Sequence, residues 1–225
     1  MVRSTLKTAF FLTVLMLCAV SAFANSSFVM TFQGLGDLQP VGNFYNGSGL
    51  TTTPNYGVTF SSNFMGLRSD LTGGSGNFSQ TPVGTPAIFI NGVTGSSATG
   101  AMNVALGFSN GINFFFTAGF TGGQTETVTI WSGANGTGTV LATLTLANNN
   151  GSCSSPAYCV WSNAGVSFSG TAHSVTFSGP ANELGITDIT LGQSTTAIPE
   201  PSSVYLLGTG LIGVTLRRFR SYIKL

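Results

Sequence analysis

Hydrophobic and polar residues alternate with a period of two through much of this chain, as in Thr127-Val128-Thr129-Ile130-Trp131, Val140-Leu141-Ala142-Thr143-Leu144-Thr145-Leu146 and Ser174-Val175-Thr176-Phe177-Ser178. Successive side chains of a strand point to opposite faces, so each run predicts a half-buried β-strand. Similar stretches at 28–33, 57–61, 87–91, 102–108, 112–118, 165–169 and 185–191 are set apart by Gly, Asn, Ser and Pro, the residues of turns. Together they predict an all-β domain with no long helix in its body. Phe114-Phe115-Phe116 does not alternate, which predicts a central strand covered on both faces. Asn-Gly dipeptides favour positive φ, and Asn110-Gly111 stands between two apolar runs, so residues 102–118 are expected to form a hairpin with a type I′ turn. Strands this short and unevenly spaced, with a long loop over 68–86, favour a β-sandwich of jelly-roll type over a closed barrel.

Two longer apolar runs lie outside this pattern. At the N-terminus Arg3 and Lys7 precede an apolar stretch from Ala9 to Val20, and Ala22 and Ala24 supply small residues before Asn25. Basic, apolar and small-residue regions in this order predict a signal peptide over 1–24, cut before Asn25 by signal peptidase after passage through the Sec translocon. An uncleaved anchor is the alternative, but a run of about a dozen residues falls short of the roughly 20 that span a bilayer. At the C-terminus Pro199-Glu200-Pro201 is followed by an apolar helix expected at about 202–216 and a basic tail over 217–225 that holds Arg217, Arg218 and Arg220. Proline suits the first turn of a helix, and basic residues stay on the cytoplasmic side, so the body between the two runs faces outward.

The triplet, the short glycine-bearing apolar helix and the terminal arginines, in this order, resemble the PEP-CTERM sorting signal of Gram-negative bacteria. The resemblance covers only the tail from Pro199 onward. It implies recognition and processing by the membrane enzyme exosortase, with Pro199, Glu200, Pro201, Arg217, Arg218 and Arg220 as the sorting motif. It further implies transient residence in the inner membrane and then a place at the cell surface or in an exopolysaccharide or biofilm matrix. A plain C-terminal anchor is the alternative. The organisation expected is a signal peptide at 1–24, a β-sandwich ectodomain at 25–196 and a sorting signal at 197–225.

Composition sharpens the functional picture. Charged residues make up 6% of the 225, far below the roughly 25% usual for soluble proteins, and Gly alone numbers 31. Between the terminal runs Arg68 is the only Lys or Arg, against Asp37, Asp70, Glu126, Glu183 and Asp188. Such a body has nothing to hold a phosphate backbone, which excludes nucleic acid as a partner. Cys153 and Cys159, six residues apart around Pro156, are expected to close a small loop as a disulfide after export, with a pair of free thiols as the alternative. His173 is the chain's single histidine, so no ordinary zinc site can be assembled, and a strand surface is its expected place.

Few combinations of acid, base and nucleophile exist here, so no catalytic residue is expected and the domain is expected not to be an enzyme. Glu126 and Glu183 are read as surface acids rather than as a glycosidase pair. Among the aromatics, Trp131, Tyr45, Tyr56, Tyr158 and Trp161 stand outside obvious core positions and are candidates to stack on sugar rings, with packing under loops as the alternative. The opening Phe32-Gln33-Gly34-Leu35-Gly36-Asp37 and the closing Glu183-Leu184-Gly185-Ile186-Thr187-Asp188-Ile189 resemble the ends of PEP-CTERM ectodomains and carbohydrate-binding jelly rolls. That resemblance implies a structural Ca²⁺ held by Asp37 and Asp188 with backbone carbonyls. Three functions remain to separate. A non-enzymatic surface or matrix protein leads. A carbohydrate-binding module would show a solvent-facing aromatic strip, and an envelope hydrolase would show carboxylates clustered in a cleft.

Overall fold

Among the described residues glycine, asparagine and serine break the chain into nine strands: β1 (Phe28–Met30), β2 (Val58–Phe60), β3 (Phe64–Leu67), β4 (Ala87–Ile90), β5 (Ser97–Ala118), β6 (Glu126–Trp131), β7 (Val140–Leu146), β8 (Ser162–Pro180) and β9 (Leu184–Leu191). The computed structural model describes residues 27–192, apart from 48–52, 80, 83, 85, 121, 155 and 156. The expected signal peptide and sorting tail lie outside the described residues. Among the described residues the single helical element is a 3-10 turn at Ala134–Gly136, and no helix is long and apolar enough to cross a membrane.

The strands form one antiparallel sheet in the order β3-β4-β9-β5-β8-β6-β7, with β1 added to β9 and β2 to β5. Two long strands, β5 and β8, organise it. Residues 97–103 of β5 pair with 174–180 of β8, and 110–116 pair with 162–168. The first of these stretches is flanked by β2, β6 and β7, the second by β9, β1, β4 and β3. Between them the register shifts twice, around Phe108, and Gly170 takes φ 95° where β8 gives up its extra residues. Bulges bend strands sharply, and here they let the two halves of the sheet face each other in a sandwich-like arrangement.

Aromatic rings fill the space between the halves. Phe177 of one half meets Phe64 and Phe114 of the other edge to face, with centroids 5.9 and 5.6 Å apart. Any side chain at Gly100 would run into the Phe64 ring, so the glycine is what allows this approach. Met30, Ile88, Ile112, Ile130, Ile186 and Ile189 complete a core from which water is excluded.

The expected hairpin at 102–118 is not formed. A type I′ turn needs positive φ at both central residues, but only Asn110 (φ 72°) has it, while Gly111 stays in the ladder opposite Ser167. The Asn-Gly signal is used for a bulge, and both runs belong to β5. In the same way the runs at 165–169 and 174–178 fuse into β8. The first strand stops at Met30, short of residue 33, because Phe32 takes φ 58°. β3 was hidden because Gly66 interrupts its alternation.

Candidate functional site

The two sheet halves differ in what covers their outer faces. On the β5–β8–β9 half, two long loops form a roof. The loop after β3 is pinned by Asp37, whose Oδ1 accepts the Arg68 N–H at 2.8 Å and whose Oδ2 accepts the Ser75 N–H at 2.9 Å. Despite the desolvation that burial imposes, these amides hold the Asp37 carboxyl below its ordinary range. Arg68 adds a bridge to Asp70 and donates to the Leu35 carbonyl.

The second loop, between β7 and β8, is organised by Asn150. Its amide nitrogen donates to Thr117 Oγ1 (2.6 Å) and the Ala118 carbonyl (3.0 Å), and its Oδ1 accepts the N–H groups of Cys159 (2.9 Å) and Val160 (2.8 Å). Cys153 and Cys159 form the disulfide that closes this loop, with their Cα atoms 5.8 Å apart. Trp161 ties the two loops together: its Nε1 donates to the Ser79 carbonyl at 2.9 Å and its ring meets Phe78 edge to face.

The outer face of the β5–β8–β6–β7 half carries no such roof over most of its area. Strand register places Thr145, Thr127, Ser178 and Thr99 in one row, and Thr143, Thr129 and Thr176 in the next. Thr99 and Ser178 share a hydrogen bond of 2.7 Å. Trp131 lies at the end of this face, half-buried, with Nε1 donating to Thr176 Oγ1 at 2.9 Å. Beside it the 3-10 turn is locked down, since Asn103 and Asn135 exchange two hydrogen bonds and Ser174 Oγ joins the Gly133 carbonyl to the Gly136 N–H. A shallow cleft of about 260 Å³ opens there, and its polar lining is Asn46, Thr59, Asn103, Ser132 and His173. No carboxylate lines it.

The aromatic candidates are not gathered into a strip. Tyr45 is 3% exposed and belongs to the core, where its hydroxyl accepts the Phe32 N–H at 2.6 Å; it offers no face to a sugar. The alternating pattern that flags strands says nothing about a ring lying in a turn between them, so it does not mark Tyr45 as inward. Tyr56 stacks on Phe28 and on Tyr45, with centroids 4.3 and 5.8 Å away, so its ring surface is already used. Trp161 is a loop tie, Tyr158 packs over Gly119, and Trp131 stands alone on the outer face.

Two acids expected at the surface or in a shared site behave differently. Glu126 is 1% exposed, with Oε1 lacking a hydrogen-bond partner, and burial pushes its carboxyl up to about 8. It has the same strand parity as the inward Val128 and Ile130, a signal that could have placed it inside. Asp37 accepts one loop amide on each carboxylate oxygen. Asp188 sits in β9 at a bulge with φ 51°, 6% exposed, and neither of its oxygens has a hydrogen-bond partner among the described residues. Glu183 also has one buried oxygen without a partner.

Comparison with known proteins adds a decisive observation at the tail. The PEP-CTERM protein-sorting motif matches residues 197–220. This chain carries a PEP-CTERM tail. The motif implies exosortase as its sorting partner and an exported, cell-surface protein. The match begins just before the Pro199-Glu200-Pro201 triplet and ends at Arg220, so it contains every sorting residue expected from the sequence. No curated protein matches the PEP-CTERM chain. Among solved structures, a cleaved adhesin domain of Lys-gingipain is 16% identical, with a TM-score of 0.45 over 74% of this chain and 99% of that one. A second adhesin domain of Lys-gingipain, from Porphyromonas gingivalis, is 7% identical at TM-score 0.44, covering 75% and 99% of the two chains. A family 29 carbohydrate-binding module is 11% identical at TM-score 0.43, covering 77% and 97%.

Proposed function

We propose that this protein is a non-enzymatic component of the cell surface or extracellular matrix of a Gram-negative bacterium, delivered by its signal peptide and sorted and processed by exosortase through its PEP-CTERM tail. The sorting motif at 197–220 is the observation that carries this reading. The body fits the role. Its outer surface is rich in hydroxyls and poor in charge, which suits work among neutral polymers where hydrogen bonds matter more than ion pairs. The strand layout is compatible with a jelly roll. The acids with raised affinity for protons, Glu126 and Asp188, do not line the cleft, which weighs against an envelope hydrolase.

The tail itself provides the test. Replacing Glu200 and Pro201 by alanine should leave the segment after Pro199 attached in cells that contain exosortase, while the unaltered protein loses it. Equal removal of the tail from both would refute sorting through the triplet.

A second reading, binding of a neutral carbohydrate, is favoured by one feature, the carboxylate-free cleft lined by Asn46, Thr59, Asn103, Ser132 and His173. Amides, hydroxyls and a histidine are the groups that hydrogen-bond sugar hydroxyls. The missing aromatic strip counts against tight binding, so titration of neutral glycans into the protein should give weak, salt-insensitive heats if the cleft is used. Absence of heat across a panel of neutral glycans would remove this reading.

A further inference from the structure

A sheet that does not close into a barrel has edge strands, whose outward N–H and C=O groups can pair with another chain. The two ends of this sheet treat that exposure in opposite ways. At one end residues 38–41 lie along β3. The Leu38 N–H donates to the Gly66 carbonyl (2.9 Å), the Gly66 N–H to the Gln39 carbonyl (2.8 Å) and the Val41 N–H to the Phe64 carbonyl (2.9 Å), and Pro40 is bridged to Met65. The outer side of β2 is sealed in the same manner, since the N–H groups of Val58 and Phe60 donate to the carbonyls of Tyr45 and Gly42. β1 is only 3 residues long, and so short an edge is a poor template.

At the other end β7 pairs with β6 alone, and among the described residues no strand or bridge lies along its outer side. The usual guards of an edge are missing from β7. It contains no proline and no charge, and the whole sequence from 127 to 182 is without Asp, Glu, Lys or Arg. Ile130 pairs with Ala142 and Trp131 with Val140, so Leu141 is an extra, bulged residue, but 142–146 continues as regular strand beyond it. Along that stretch Thr143 and Thr145 are exposed on the outer face, while Ala142 and Leu144 are half-buried on the core side.

We propose that β7 is a self-association edge: two copies of this chain join their β7 strands antiparallel about Leu144, extending the hydroxyl-bearing face across both molecules. The symmetry of the sequence selects a second copy as the occupant. With Leu144 opposite its counterpart, Thr143 falls opposite Thr145 and Ala142 opposite Leu146, so threonines meet on the outer face and apolar side chains on the inner one. A charged partner would find no complement along this edge, whereas an identical neutral strand meets no repulsion. Because β3 is covered, the pairing leaves no second long edge to propagate, and it closes as a two-fold dimer instead of growing into a fibre. A single short strand on each side buries far less than the roughly 1,200–2,000 Å² of a stable complex, so the dimer is weak and depends on concentration.

The experiment is sedimentation velocity of the full chain in detergent over a concentration series, for the unaltered protein and two double variants. Thr143→Lys with Thr145→Lys sets like charges opposite each other across the two-fold axis and should weaken the dimer roughly tenfold. Thr143→Lys with Thr145→Glu sets opposite charges against each other in this register and should dimerise within about threefold of the unaltered protein, or more tightly. Both variants change only exposed side chains and should keep the thermal midpoint of the unaltered protein within a few degrees. Register is read separately: a Thr143→Cys chain mixed with a Thr145→Cys chain should form the mixed disulfide in preference to either like pair. A monomer at every concentration, which would mean that the edge is covered by the protein's own chain, would overturn the proposal. So would a dimer indifferent to the double-lysine variant, equal weakening in both variants, or open-ended assembly of the unaltered protein.

Discussion

The two halves of the sheet share a core but meet solvent in opposite ways. The half around β9 is roofed by two loops, joined through Trp161 and fixed by Asn150, Asp37 and a disulfide. The half around β6 and β7 leaves rows of threonine and serine bare, with a single tryptophan at one end. The roofed side invests its polar groups in holding the protein together. The bare side spends fewer of its hydroxyls on the fold: Thr99 and Ser178 bond to each other and Thr176 accepts from Trp131, while Thr143 and Thr145 are exposed. In a chain with so few charges, both faces rest largely on neutral hydrogen bonds, with the Asp37 carboxylate and the Arg68–Asp70 pair as charged fixings of the roof.

Perturbations should separate the halves in a definite order. Phe177→Ala strikes the contact both halves share and should cost about 3–5 kcal/mol by denaturant titration, the largest loss expected for a single truncation. On the roofed side, replacing Cys153 and Cys159 by serine should cost about 2–3 kcal/mol, because the six-residue closure no longer restrains the unfolded chain. Asn150→Ala leaves buried amides at Cys159 and Val160 without their acceptor and should cost about 1–3 kcal/mol, with proteolysis concentrated in the 151–160 loop. On the bare side, Thr127→Val and Thr143→Val should stay within about 0.5 kcal/mol. A large loss there would mean that this face is structural after all.

Inside the bare half, Glu126 adds a pH dependence. Its carboxyl is raised from 4.5 to about 8 by burial, so the folded protein keeps the proton in a range where the unfolded chain releases it. Stability should therefore be greatest below about pH 4.5 as far as this group is concerned, and fall as pH rises toward 8. Glu126→Gln should flatten that part of the curve, and an unchanged slope would show that the side chain reaches water.

Much of the strand content was legible because alternation reports burial directly: β7 coincides with its predicted run, and β6 and β9 begin one residue early. What escaped depends on contacts distant in sequence. Asn110-Gly111 carries the local chemistry of a turn, yet β8 and β9 pair with this segment and draw it into a bulge. Tyr45 and Asn150 lie in irregular backbone, where no period marks the inward direction, so Tyr45 reads as a candidate sugar contact with packing under a loop as the alternative, and Asn150 does not stand out. The sorting tail was the reverse case, a linear signal recognised by another protein and therefore readable from order and spacing alone.

The most direct test of the account is the intact mass of the protein recovered from its native host, with and without exosortase. Loss of Met1 to Ala24 in both strains, together with loss of the segment after about Pro199 only where exosortase is present, is the predicted result. An identical tail in both strains would contradict exosortase-dependent processing and leave a β-domain held by its own C-terminal segment.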